Sequence, residues 1–162
     1  MTRLHIRSAV PADTPLILEF IRGLADYEKL RHEMVATEDL LRHHLFGAKP
    51  RAEVILAEWE GKPAGFALFF HNFSTFLGRP GIYLEDLFVL PAMRGKGIGK
   101  ALLVHLAVLA RERGCGRLEW SVLDWNKPSI AFYKKLGAVA MEEWSIFRVT
   151  GEALVRLADG QA

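Results

Sequence analysis

The spacing of apolar and polar residues predicts one strand and two helices in the first third of the chain. RLHIRSAV, at 3–10, alternates apolar and polar positions, which is typical of a strand. Over 14–30 the apolar residues recur three and four positions apart, which predicts a helix, and Asp13 is a residue able to cap its beginning. A second, shorter helix is expected between Thr37 and Gly47.

The middle of the chain predicts three strands. EVILAEWE at 53–60, AGFALFFHNF at 64–73 and GIYLEDLFVL at 81–90 are rich in Val, Ile, Phe and Tyr, the residues that favour strands. The turn residues GKP separate the first two runs. We expect these strands to form an antiparallel meander.

The remainder of the chain predicts two helices and three strands. An amphipathic pattern follows a glycine-rich segment and continues to about Gly114, after which RLEWSVL at 117–123 reads as a strand. NKPSIAFYKKLGA at 126–138 predicts a helix, with Pro in its first turn and Gly just past its end. AVAMEEW at 138–144 and SIFRVTG at 145–151 are expected to be two closing strands.

This order of elements predicts an α/β (mixed-sheet) fold in a single domain, residues 1–162. The chain is long enough to bury one sizeable core, and no linker-like segment divides it. Since a helix joins the strands at 82–90 and 117–123, those two strands should run parallel.

Composition excludes several functional classes. The chain has 21 basic and 19 acidic residues spread along its length, a formal charge of +2 that does not indicate nucleic-acid binding. The single cysteine, Cys115, excludes an internal disulfide, and no signal-peptide-like or 18-residue apolar segment is present, so we expect a cytoplasmic protein without a membrane partner. His43 and His44 are adjacent without a partner at ligand spacing, so no metal is expected.

Three glycines alternate with cations in LPAMRGKGIGKAL, residues 90–102. The spacing does not match a P-loop, which also needs a hydroxyl where Ala101 stands, and it does not match the G-x-G-x-x-G dinucleotide motif. Residues without side chains still let backbone N–H groups converge on an anion at a helix N-terminus, although a bare strand-to-helix turn is the alternative. The expected phosphate-binding residues are Arg94, Gly95, Lys96, Gly97, Ile98, Gly99 and Lys100.

Two motifs in the chain resemble those of the GNAT acetyltransferases. FVLPAMRGKGIGKALL resembles their coenzyme A pyrophosphate loop, Arg/Gln-x-x-Gly-x-Gly/Ala, and NKPSIAFYKKLGA resembles their second motif, Asn-x-x-Ser/Ala-x-x-Phe-Tyr-x-x-x-Gly. ADYEKL, YLEDLFV and EEWSIFRV are similar to segments of the spermidine/spermine (diamine) and thialysine acetyltransferases. The narrower resemblance covers most of the chain.

The resemblance implies the GNAT fold, in which a parallel pair of strands splays around acetyl-CoA as cosubstrate. Backbone groups of the third strand of the meander would bind pantetheine and the thioester carbonyl, often near a β-bulge, and the second motif would contact the coenzyme. By this resemblance Tyr133 is the general acid that protonates the leaving thiolate. The further coenzyme-binding residues that the resemblance implies are Leu87, Phe88, Val89, Asn126 and Ser129.

Glu85 and Asp86 are two consecutive carboxylates inside a strand-like run. Acidic residues are depleted in strands, and alternation directs one of the two to each face. An alkylamine is only about 0.04% neutral at pH 7, so acetyl transfer to an amine needs a proton acceptor. The resemblance gives Glu85 the role of binding the amine and helping to deprotonate it through water.

The acceptor is predicted from the segment ADYEKLRHEM. By resemblance, Tyr27 and Glu28 hold a distal cation of the substrate. Arg31 and His32 stand where polyamine enzymes tend to carry acids, so a diamine or a lysine-like amino acid of the thialysine type is as well supported as a long polyamine.

The predicted function is transfer of an acetyl group from acetyl-CoA to a primary amine of a small polyamine-like or lysine-like substrate. Two alternatives remain open: a protein or peptide N-acetyltransferase of the same fold, and a non-catalytic acyl-CoA-binding module. The second alternative predicts loss of Tyr133 or Glu85, and both are present. The resemblance also implies a homodimer.

Overall fold

The computed structural model describes residues 3–161, which fold as two compact units that divide between Leu123 and Asp124. The first unit contains a five-stranded sheet and three helices. Its elements are β1 (Leu4–Ser8), α1 (Thr14–Tyr27), α2 (Glu38–Phe46), β2 (Glu53–Trp59), β3 (Lys62–Ser74), β4 (Arg79–Val89), α3 (Ile98–Glu112) and β5 (Leu118–Trp120).

The sheet has the strand order β1-β2-β3-β4-β5. β1 to β4 pair antiparallel with their neighbours, whereas β4 and β5 pair in parallel, as a connection through a helix requires. The predicted meander, the mixed sheet and the parallel pair are all confirmed.

A cluster of phenylalanines joins α1 to the centre of the sheet. The ring of Phe20 stacks on that of Phe66 at 5.4 Å between centroids and meets Phe88 edge-on at 6.3 Å. Gly23 permits this close approach, since a Cβ at that position would lie 2.7 Å from Cζ of Phe88. The C-terminal half of α1 is therefore held against the end of β4.

The predicted cap and end of α1 are wrong in detail. Asp13 precedes the helix, but its carboxylate accepts hydrogen bonds from the guanidinium of Arg7 and from the N–H of Val10, and makes no bond to α1. A charged donor makes the stronger hydrogen bond, which explains this preference. The helix ends at Tyr27 instead of continuing to residue 30, because the chain turns through Lys29 with a positive φ of 61°.

Two other predicted helix beginnings are confirmed. The side-chain oxygen of Thr37 accepts a hydrogen bond from the N–H of Leu40 at 3.3 Å, and α2 ends just before Gly47. In the second unit, Asn126 accepts from the N–H of Ser129 at 3.4 Å. Both caps satisfy N–H groups that have no partner within the helix.

The two closing strands predicted at 138–144 and 145–151 are wrong. The second unit contains α4 (Lys127–Lys135), an irregular segment and α5 (Gly151–Ala158), and the strands of the described residues end with β5. A strand is stable only when its backbone groups pair with a neighbour, and alternating residues alone do not supply one. The apolar side chains of this segment are largely exposed, with Phe147 at 92%.

Within residues 3–161, none of the helices combines the length and the apolar character needed to cross a membrane.

We predict that Gly65→Ala destabilises the sheet next to β4. A Cβ on Gly65 would lie 2.5 Å from the carbonyl oxygen of Phe88, a backbone atom that cannot move aside without disturbing the strand pairing. The expected loss is about 1–3 kcal/mol, measured as a fall in melting temperature of about 2–4 °C per kcal/mol.

The matched control for this prediction is Gly99→Ala, where the new Cβ would make an ordinary contact at 3.9 Å with Val89. This variant should melt within a degree or two of the unaltered protein, because alanine also favours the first turn of α3. Equal destabilisation by both substitutions would contradict the steric explanation.

Candidate active site

A β-bulge lies in β4 at Glu85. Leu84 pairs with Phe69 and Asp86 pairs with Leu68, so that two residues of β3 face three of β4 and Glu85 is the extra one. The sequence motif does not reveal this bulge, although the resemblance suggested that one would lie nearby.

The pairing of β4 with β5 stops just before the bulge. Three residue pairs, from Ile82 opposite Leu118 to Leu84 opposite Trp120, join the two strands. Among the described residues, 86–89 have a strand partner on the β3 side alone, and Glu85 has none. This edge of β4 is therefore open, as the resemblance predicts for a splayed pair.

The bulge determines which backbone groups face the open edge. The N–H of Leu90 donates to the carbonyl of Ala64 on the β3 side, and alternate residues of a strand direct their backbone groups to the same side. The backbone of Phe88 consequently faces β3, whereas Leu87 and Val89 direct theirs to the open edge. Of the three residues predicted to bind pantetheine through the backbone, two have the required direction, and Phe88 presents its side chain instead.

The glycine-rich segment forms a cradle at the beginning of α3. Gly95 and Gly97 have φ of 79° and 77°, values that disfavour residues with side chains, and no atom lies within 4 Å of where their Cβ would be. α3 begins at Ile98 without a side-chain cap, and its first backbone bond is from Ala101 to Gly97. The N–H groups of Ile98, Gly99 and Lys100 thus have no partner within the helix and suit an anion.

Two cations of this segment make cation–π contacts with aromatic rings. Nζ of Lys96 lies 5.3 Å from the ring centre of Trp59, and Cζ of Arg94 lies 4.9 Å from that of Tyr27. Nε of Arg94 also donates to the carbonyl of Val89 at 3.1 Å. Sequence reasoning did not identify Trp59, because β2 is distant along the chain and only the sheet brings it to the loop.

Three carboxylates, those of Glu28, Glu85 and Asp86, interact electrostatically at the bulge. Burial raises the pKa of Asp86 to about 7, and the negative charges of Glu85 and Glu28 add to the effect. Burial, together with the charge of Glu85, also raises the pKa of Glu28. The sequence identified Glu28 and Glu85, and the structure adds Asp86 as a carboxyl that takes up and releases protons near neutral pH.

The bulge also explains the burial of Asp86. Cross-strand partners lie on the same face of a sheet, so Asp86 shares the face of Leu68, which packs against the core beneath α1. Without the extra residue, alternation would place Asp86 on the face of Leu84. The adjacent carboxylates in the sequence were the one indication of this arrangement.

A cleft of about 480 Å³ lies between α1 and the end of β4. Tyr27, Phe88 and Arg94, which were predicted from the sequence, are among its lining residues. The other lining residues, which sequence reasoning did not assign to a site, are Glu19, Arg22, Gly23, Asp26, Leu90 and Pro91.

The remaining predicted residues belong to the second unit. Asn126 is buried and caps α4, and Ser129 lies in the first turn of that helix. Tyr133 lies one helical turn after Ser129, with its ring 5.6 Å from that of Phe132. These three residues of the second motif thus belong to one short helix and its cap, as predicted.

These features of the first unit fit the coenzyme that the resemblance implies. The glycine cradle suits a pyrophosphate, and the open edge of β4 offers donors and acceptors to an arm that contains amides. Within residues 3–161, no three His, Cys, Asp or Glu side chains are grouped so as to hold a metal ion. The absence of a metal from the reaction stays a prediction.

Comparisons with known proteins agree with the motifs. The sequence pattern of the acetyltransferase (GNAT) family matches residues 19–138. The chain is 40% identical to thialysine N-epsilon-acetyltransferase of Bos taurus, over 98% of this chain and 99% of that protein. It is 35% identical to L-ornithine N5-acetyltransferase NATA1 of Arabidopsis thaliana, over 93% and 86% of the two chains.

A solved structure has the same fold. It is an integron cassette protein from the mobile metagenome of V. cholerae, 31% identical to this chain, and it superposes with a TM-score of 0.81 over 98% of this chain and 99% of that one.

We predict that Asp86→Asn is more stable than the unaltered chain, and that the difference in stability grows as pH rises. The carboxyl loses its proton near its ordinary value of 3.8 in the unfolded chain but at about 7 in the folded protein. Between these values the folded protein binds more protons, so its free energy of unfolding falls as pH increases. Each unit of pKa shift corresponds to about 1.4 kcal/mol.

The measurement is the difference in melting temperature between Asp86→Asn and the unaltered protein at a series of pH values from 4 to 8. The difference should grow by several degrees, at about 2–4 °C per kcal/mol, and level off above pH 7. A difference that stays constant with pH would show that Asp86 titrates like an exposed carboxyl.

Proposed function

The chain belongs to the GNAT family of acetyltransferases, and from this membership we propose that it transfers the acetyl group of acetyl-CoA to a primary amine of a small lysine-like or polyamine-like substrate. The observation that carries the proposal is the course of β4. Its open edge leads from the glycine cradle to the bulge at Glu85, where three carboxylates meet. A loop that suits an anion and a group of carboxylates that suits a cation lie at the two ends of this edge, which supports the proposal.

On the donor side, backbone groups do most of the binding. The N–H groups at the beginning of α3 hold the pyrophosphate, with Lys96 and Lys100 adding positive charge. Leu87 and Val89 bind the pantetheine arm through the open edge, as an added strand would. When bound, acetyl-CoA supplies the activated acetyl thioester.

On the acceptor side, the carboxylates attract a protonated amine and then take its proton. Two of them, Glu28 and Asp86, have pKa values raised by burial, so a nearby cation stabilises their charged forms. Glu85 stands at the bulge with an exposed side chain, and we assign it the binding of the reacting amine and the removal of its proton through water. The neutral nitrogen then attacks the thioester carbonyl.

Tyr133 completes the reaction in this proposal. A phenol can donate a proton to the departing thiolate, and the tyrosine stands at the position of the second motif where GNAT enzymes carry their acid. Asn126 and Ser129, at the beginning of the same helix, bind the coenzyme.

A lysine-like amino acid is the acceptor that we favour. The cleft beside β4 is lined by both acids and bases, Glu19 and Asp26 with Arg22 and Arg94. Asp26 is in addition paired with Arg31 at 2.8 Å, which reduces the negative charge available to a polyamine. A ligand with both an ammonium and a carboxylate fits such a lining better, and two relatives carry the names of thialysine and L-ornithine acetyltransferases.

We further propose a cytoplasmic homodimer in which residues 1–162 act as one domain. The family pattern matches 19–138 and so runs across the boundary between the two compact units. A single cysteine suits a reducing compartment. Apolar side chains left exposed in the second unit favour association with another chain; they are Trp125, Leu136, Val139, Met141, Trp144, Ile146, Phe147, Val149, Leu154, Val155 and Leu157.

The first test of the function is a turnover screen with acetyl-CoA. Thialysine, lysine and ornithine should be acetylated with higher kcat/KM than putrescine and spermidine, and a lysine-containing peptide should be the poorest substrate. Tyr133→Phe should lower kcat by about 10²- to 10⁴-fold with the best amine. If no amine is acetylated and Tyr133→Phe changes nothing, the catalytic proposal is wrong.

The second test separates the two adjacent carboxylates. Glu85→Gln should lower kcat at least tenfold (about 1.4 kcal/mol) and leave the Kd for acetyl-CoA within about twofold, since the lost interaction is with the amine. The rate of the unaltered enzyme should rise toward alkaline pH, because a larger fraction of the alkylamine is then neutral and able to attack. Equal losses in turnover and in acetyl-CoA binding would contradict the role of Glu85.

A further inference from the structure

The side chain of Arg94 connects three parts of the first unit. Its guanidinium carbon lies 4.9 Å from the ring centre of Tyr27 in α1 and 5.7 Å from that of Phe88 in β4. Its Nε donates a hydrogen bond to the carbonyl of Val89 at 3.1 Å. Arg94 itself is the residue from which the glycine cradle begins.

These contacts satisfy both the charge and the geometry of the guanidinium. The planar, delocalised cation of arginine stacks on aromatic faces while its N–H groups donate in the plane. The carbonyl of Val89 faces the open edge of β4, where no strand formed by residues 3–161 supplies a donor, and Nε of Arg94 donates to it instead. Gly23, whose missing side chain lets the ring of Phe88 lie against α1, helps to form the aromatic surface.

The loop that follows has little else to fix its beginning. Gly95 and Gly97 both adopt positive φ with open space around them, so their own side chains cannot restrain the backbone. A residue held at the entrance of such a loop reduces the number of conformations that ligand binding must select. Arg94 is the residue in that position.

We propose that Tyr27 is a positioning residue for acetyl-CoA: its ring seats the guanidinium of Arg94 and thereby fixes the glycine cradle against the end of β4. The proposal rests on the acetyltransferase function proposed above. The resemblance to the family assigned Tyr27 to binding of the amine, and the present proposal adds a role in binding acetyl-CoA. Arg94 acts in this arrangement by bracing the loop, while the backbone N–H groups of α3 and the lysines meet the phosphates.

The test is the affinity of the full chain for acetyl-CoA, measured by calorimetry in a double-mutant cycle. Tyr27→Leu and Arg94→Ala should each raise the Kd by about three- to tenfold, the range expected for loss of a cation–π contact. The double variant should bind no more weakly than the weaker single variant, because both substitutions remove the same contact. Tyr27→Leu should also raise the KM for acetyl-CoA, measured with the amine at a saturating concentration, by a similar factor.

Two controls separate this role from general effects. Tyr27→Phe keeps the ring and should retain a Kd within twofold of the unaltered protein, which shows that the aromatic face and not the hydroxyl is required. Arg22→Ala removes a cation that lines the same cleft but keeps the contact between Tyr27 and Arg94. This variant should also leave the Kd for acetyl-CoA within twofold of the unaltered protein. Melting temperatures of all variants should remain close to that of the unaltered chain.

The outcomes distinguish the two levels of the proposal. If the unaltered chain binds and uses acetyl-CoA but Tyr27→Leu binds it as tightly or more tightly, the positioning role is wrong and the function stands. Losses from Tyr27→Leu and Arg94→Ala that multiply in the double variant also overturn the positioning role. Failure of the unaltered chain to bind acetyl-CoA contradicts the proposed function itself, and the positioning role with it.

Discussion

The extra residue that β4 carries at Glu85 sets the direction of every backbone and side-chain group that follows it in the strand. Before the bulge, Ile82 donates its N–H to Arg117 on the side of β5. After the bulge, the alternation of residues between the two sides of the strand is shifted by one. The backbone groups of Leu87 and Val89 therefore face the open edge, and the side chain of Asp86 lies on the face of the sheet that α1 covers. One inserted residue thus creates both the open edge that suits the proposed donor and the largely buried carboxyl on the proposed acceptor side.

The carboxylates at the bulge are unfavourable for folding and useful for binding. Burial of Asp86 and the nearby charges of Glu85 and Glu28 raise its pKa to about 7, so the free energy of unfolding falls as pH rises from the ordinary value of 3.8 to about 7. Within residues 3–123, no cation neutralises this carboxyl in the manner that Arg7 neutralises Asp13 and Glu58, where the guanidinium lowers both pKa values. A protonated amine is the kind of ligand that would relieve the repulsion.

The donor and acceptor sides share residues because α1 crosses the end of β4. Phe20 and Phe88 hold the helix to the sheet, and the same contact brings Tyr27 to Arg94 and Glu28 to the bulge. In the proposed enzyme, substitutions in α1 would therefore affect both substrates. The cation–π contacts of Arg94 and Lys96 are alike, since each holds a cation of the glycine-rich segment against a ring from an element distant along the chain.

The sequence by itself determined what depends on local order. Periodicity predicted the strands and helices of residues 3–123, Thr37 marked the beginning of a helix, and the spacing of glycines at 95–99 excluded nucleotide motifs and indicated an anion loop. Tertiary structure decided what depends on partners: the bulge at Glu85, the burial of Asp86, and the ring beneath Arg94. The segment 138–151 has the pattern of strands but no strand in the structure, because alternation specifies a face and only a neighbouring backbone makes a strand.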